Sequence, residues 1–147
     1  MNYSNARQAL NQYSRMAVQT DVGEATPHRL IQMLMEGALA RIATAKGCME
    51  RGDMEQKGAQ MSWALSIING LRASLDKSAG GELAQHLDDL YEYMEWRLFQ
   101  ANKSNDTAGV DEVTSLLREV KEAWDAIPAD MHRGAPSAMG APLAGAR

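Results

Sequence analysis

Apolar side chains in this chain recur at steps of three and four, and no segment carries a convincing two-residue alternation. The cleanest run is Val110, Val113, Leu117, Val120, Trp124 and Ile127. At about 3.6 residues per turn these positions share one helical face, whereas a strand would scatter them over both sides of a sheet. The chain is therefore predicted to be all-α, with each apolar stripe buried against another helix.

Capping residues set the boundaries. Thr26 followed by Pro27 is a helix start, because the threonine hydroxyl caps and proline suits the first helical position. The stripe that follows is Ile31, Leu34, Ala38, Ile42, Ala45, Met49, and Gly52 suits a left-handed end. Asp53 with Gln56 is a capping-box pattern that starts a second helix at once, with stripe Met54, Met61, Leu65, Ile68, Leu71, Leu75. Lys77 to Gly81 reads as a break. A third helix carries Leu83, Leu87, Leu90, Met94, Leu98 and Ala101 and ends between Asn102 and Asn105. Asp106 caps the fourth.

Four helices with short connections predict an antiparallel up-down-up-down bundle over residues 26–127. Residues 1–25 form a separate N-terminal segment with a short amphipathic stretch at Leu10, Tyr13, Met16 and Ala17. Residues 128–147 are rich in Ala, Gly and Pro and are predicted to be a disordered tail.

The composition excludes several functions. A net charge of -4 argues against nucleic acid and anionic membranes, which both demand a basic face. No apolar run approaches the ~20 residues that cross a bilayer. The first residues lack the apolar centre of a secretory signal, and a lone cysteine, Cys48, forms no internal disulfide. A cytoplasmic protein is expected. A bundle di-metal centre needs Glu-x-x-His on two helices. Ala25, Leu83 and Ala129 stand three residues before His28, His86 and His132, so no metal site is expected. Cys48 reads as a packed side chain, Gly80-Gly81 as a turn, and the acidic residues of the last two helices as solvated faces. Neither an enzyme nor a cofactor is expected.

What remains unexplained is an excess of apolar positions. A bundle helix needs about three core positions in seven. Beyond their stripes, the helices add Leu30, Met33, Met35 and Leu39, then Trp63 and Ile67, then Tyr91, Tyr93, Trp96 and Phe99. Such positions are buried in a wider core, in a dimer, beneath the N-terminal segment, or against a partner. Met adapts to irregular partners and also fills core gaps.

Several blocks resemble the FliS family of flagellar secretion chaperones. They are Thr26-Pro27-His28-Arg29-Leu30-Ile31-Gln32-Met33-Leu34-Met35-Glu36-Gly37-Ala38, Glu50-Arg51-Gly52-Asp53 with Lys57-Gly58, and Ile67-Ile68-Asn69-Gly70-Leu71. The strongest run is Gly80-Gly81-Glu82-Leu83-Ala84, Leu90-Tyr91-Glu92-Tyr93-Met94, Arg97-Leu98, Ala101-Asn102 and Asn105-Asp106. The resemblance spans roughly residues 10–127. It implies an antiparallel bundle that binds the disordered C-terminal segment of flagellin in apolar grooves and keeps it from polymerising before export. Export-apparatus components are further partners it suggests, with the chain a monomer or weak dimer. The implied partner-binding residues are Leu10, Tyr13, Leu30, Met33, Met35, Leu39, Ile67, Leu71, Tyr91 and Met94. Four features depart from the family pattern: Met35 stands where an aromatic residue is usual, His86 where Asn is common and Trp96 where Arg is common, and the Ala/Gly/Pro-rich tail is an addition to it. The alternative is a helical scaffold or regulator that self-associates through the same apolar excess.

Overall fold

The fold is taken from a computed structural model that describes residues 25–131. Helix α1 runs Pro27–Arg51, α2 Met54–Ala73, α3 Lys77–Ser104 and α4 Thr107–Asp125, followed by a 3-10 turn at Ala129–Met131.

The helix ends follow the capping chemistry. Thr26 Oγ1 accepts the Arg29 N–H at 3.1 Å, Asp53 Oδ1 that of Gln56 at 3.2 Å, and Asp106 Oδ1 that of Ala108 at 3.0 Å. Gly52 takes the left-handed conformation with φ 77°, so α1 and α2 are joined by Gly52 and Asp53 alone. Asn105 closes α3 in the same region, φ 54° and ψ 47°.

One boundary differs from the sequence reading. Lys77 to Gly80 is not a break but a helical turn, because Asp76 caps it by accepting the Ala79 N–H at 3.1 Å. The interruption is confined to Gly81, at φ 57° and ψ -131°. Side chains with a Cβ rarely adopt that conformation, so the kink needs glycine. It lets α3 change direction just before Leu83.

Around the bundle α1 packs on α2 and α4, and α3 packs on the same two. One continuous core results, and all six α1 stripe residues lie in it. Polar locks fix the helix ends. Lys57, on the first turn of α2, donates from Nζ to the Asn102 carbonyl at 2.8 Å and to Asn105 Oδ1 at 3.2 Å. A cation there complements the negative end of α3 and satisfies a carbonyl left over by helix geometry. At the other end of the bundle, His28 Nε2 donates to the Trp124 carbonyl and Trp124 Nε1 to the His28 carbonyl, both at 2.9 Å. The two rings stack, with centroids 4.7 Å apart and 11° between planes.

Tyr91 is the opposite case. It is fully buried, and its hydroxyl has no hydrogen-bond partner among the described residues. Burial alone pushes its pKa up. An unsatisfied buried hydroxyl costs ~1–3 kcal/mol. Tyr91→Phe is therefore expected to raise unfolding stability by about 1 kcal/mol in urea titration. A loss of that size would show that the hydroxyl has a stabilising partner.

Candidate partner-binding grooves

Most of the expected partner-binding residues sit inside the bundle. Leu30, Met33, Met35, Ile67, Leu71, Tyr91 and Met94 are buried members of the single core cluster, and Leu39 is half-buried against it. Leu10 and Tyr13 lie outside the described residues. In this conformation the buried seven hold helices together and present no face outward.

Among the described residues, the exposed large apolar side chains are different ones: Met54, Leu83, Trp96 and Phe99. Met54 and Leu83 had been placed in core stripes. Met54 is the first residue of α2, and Leu83 follows the Gly81 kink and faces α4 across an open groove.

Leu83 is 56% exposed and forms one wall of a groove between α3 and α4. Leu83 and Leu87 line the α3 side, and Val120, Ala123, Trp124 and Ile127 line the α4 side. Among the described residues, Glu119 is the only charged one of the lining, and the groove encloses about 350 Å³. The α4 wall continues the stripe that defines that helix. On the α3 side, Leu83 and Leu87 are one turn apart and so share a face. Two turns of helix are about 11 Å long. Such a concave, apolar slot takes the apolar face of a partner helix. Trp124, in the α4 wall, is bonded to His28 near the start of α1. Ala25 packs against the core close by. The N-terminal segment therefore joins the bundle beside this groove.

A second groove runs between α2 and α3. Ser62, Leu65, Ser66, Asn69 and Arg72 line one side, and Glu92, Glu95, Trp96 and Phe99 the other. Arg72 gathers the carboxylates at its end. Its guanidinium donates to Asp88 at 2.8 Å and Glu95 at 3.0 Å and stands 3.7 Å from Glu92, while Lys77 pairs with Asp88 at 3.1 Å. The hydrogen bond from Arg72, and then that from Lys77, hold the Asp88 carboxyl below its ordinary range against the opposing effect of burial. Across the bundle, Tyr93 Oη and Arg97 Nε donate to Glu112 at 2.7 and 2.8 Å and lower that carboxyl too, the tyrosine contributing most.

Carboxyls depressed in the folded state add stability that is present above their unfolded pKa and lost as pH falls through the folded value. The protein is thus expected to lose stability below about pH 4. Asp88→Asn should make that loss shallower. Urea titrations across this range test it, and an unchanged acid slope in the variant would remove Asp88 from the account.

Among the described residues, no three His, Cys, Asp or Glu side chains converge as a metal site would require, and no helix is long and apolar enough to cross a membrane. Cys48 is buried, and Arg51 Nη2 approaches its sulfur at 3.6 Å.

Known proteins share this arrangement of sequence. The family described as flagellar protein FliS matches residues 9–131. The flagellar secretion chaperone FliSB of Pseudomonas aeruginosa is 52% identical over 122 residues, 83% of this chain and 97% of that protein. The flagellar secretion chaperone FliS of Vibrio cholerae is 40% identical over 126 residues, 86% of this chain and 93% of the relative. That of Salmonella typhimurium is 45% identical over 116 residues, covering 78% and 86%.

Proposed function

The chain belongs to the FliS family of flagellar proteins, and on that premise we propose that it is a cytoplasmic secretion chaperone that holds the C-terminal segment of flagellin and prevents its polymerisation before export. The observation that carries this reading is the apolar groove between α3 and α4, whose wall residue Leu83 stands 56% exposed. A chain that is disordered before assembly and carries amphipathic stretches can fold into such a groove and lose its self-association surface there.

The N-terminal segment serves in this reading as a movable cover. It joins the bundle at Ala25, three residues before the His28 that stacks on Trp124, and Leu10 and Tyr13 supply its apolar face. A cover lowers apparent affinity by the fraction of closed molecules, whereas a contact residue raises it. Leu30, Met33, Met35, Leu39, Ile67, Leu71, Tyr91 and Met94 are contacts reached only by a partner that displaces what covers them. Tyr13→Ala is expected to weaken flagellin binding while keeping the cooperative melt, since a buried tyrosine is a common hot spot. A paired melt and titration checks it. Unchanged affinity would remove Tyr13 from the site, and a collapsed melt would assign it to the core.

The test of the function itself is size-exclusion chromatography of the purified chain with a peptide of flagellin's C-terminal region. A defined complex of fixed stoichiometry is expected. Co-elution failure, with the chain instead shifting to larger size at high concentration, would favour a self-associating scaffold.

A further inference from the structure

We propose that the groove between α2 and α3 docks a second protein partner, one that presents a cationic amphipathic helix. This surface is separate from the α3–α4 groove. Leu83 and Leu87 face α4, whereas Glu92, Glu95, Trp96 and Phe99 flank the side of α3 that faces α2.

Three observations define the occupant. Trp96 and Phe99 are 54% and 56% exposed, one helical turn apart, so they form a contiguous aromatic ledge. Across the groove from the ledge stand half-buried Leu65 and the small, exposed side chains of Ser62 and Ser66, which leave room for an apolar side chain of the partner. Charge selects the rest. Asp88 and Glu95 are held closely by Arg72 and Lys77, but the Glu92 side chain is 64% exposed and has only a 3.7 Å contact to Arg72. Glu92 sits one turn before Trp96 on the same face. The Trp96 ring leans on that of Tyr93, centroids 5.9 Å apart, and the residue is still more than half exposed. A carboxylate beside such an indole is a two-point site for Lys or Arg, which pairs with the first and stacks over the second. The partner that fits places an apolar side chain in the Leu65–Phe99 recess and a cation over Trp96, one turn apart on its own helix.

The probe is a labelled peptide of about four helical turns with Leu on one face and Lys on the other, compared with the same peptide carrying Glu for Lys. Fluorescence anisotropy reads the affinity, and the melting curve of each variant reads the fold. The Lys peptide is expected to bind and the Glu peptide not to bind. Trp96→Arg should weaken the Lys peptide about tenfold or more, Phe99→Ser should weaken it likewise, and Glu92→Gln should flatten the salt dependence. All three variants should melt like the parent, and Trp96→Arg should still bind the flagellin C-terminal peptide. The proposal is overturned if the Glu peptide binds equally well or if Trp96→Arg leaves the Lys peptide unaffected. It is also overturned if Leu83→Asp, in the other groove, abolishes that binding instead. Equal loss of the flagellin peptide in Trp96→Arg would assign the ledge to flagellin and overturn it too.

Discussion

Trp124→Ala is expected to destabilise the protein by about 3–5 kcal/mol, the range for truncating a large core side chain. Trp124 is 3% exposed and closes the most regular apolar stripe in the chain. Its indole stacks on His28 at 4.7 Å, and its N–H donates to the His28 carbonyl at 2.9 Å. Removing it opens a cavity, ends the stack and takes away the hydrogen bond between the indole and the His28 carbonyl, so the start of α1 loses its hold on the end of α4. Urea unfolding measures the change. Since Trp124 also lines the α3–α4 groove, flagellin-peptide affinity is measured on the same variant under conditions where it remains folded. The loss should lie in stability. Parental unfolding with abolished binding would make Trp124 a site residue instead.

Leu83→Asp should do the reverse. Over half of this side chain is already in solvent, so little core area is at stake. An aspartate near the start of a helical segment is favourable in itself. The parental melt should be kept. In the groove, however, the variant sets an unpaired carboxylate against the apolar face of the bound segment, and such burial is costly. A loss of affinity of at least about tenfold, roughly 1.4 kcal/mol, is expected. Leu83→Met, which keeps volume and polarity, should retain binding. Equal affinity for the Asp variant and the parent would place flagellin elsewhere on the bundle.

The helices were legible because local chemistry delimits them. Thr26, Asp53 and Asp106 are caps whatever the bundle does, and Gly52 and Asn105 are left-handed stops. The turn before Gly81 was missed since two adjacent glycines mask a helical turn that Asp76 nucleates. The α1 stripe was read without error, because that helix is covered along its whole length.

The grooves were much less legible. Periodicity shows which residues share a face but not whether another helix covers it. Leu30, Met33 and Met35 looked like excess and are buried, because α1 is packed by neighbours on more than one side. Leu83 looked like core and is exposed, since α4 stands across an open groove from it and does not close over it. Trp96 and Phe99 stood out as apolar positions beyond the stripe, and that excess was the available signal for the α2–α3 groove. The polar hub around Arg72 had no sequence signal, because it is assembled from residues sixteen to twenty-three positions apart across two helices.

A bundle that captures a disordered flagellin segment folds it on binding. Isothermal titration calorimetry of the full chain with a flagellin C-terminal peptide, repeated at several temperatures, measures that coupling. Coupled folding buries a large apolar area, so the heat-capacity change should be strongly negative, with ordering of the peptide costing on the order of 2–5 kcal/mol of the gross interaction. Circular dichroism of the same mixture should show helix gained beyond the sum of the parts. A heat-capacity change near zero, or no binding heat and no added helix, would contradict the claim.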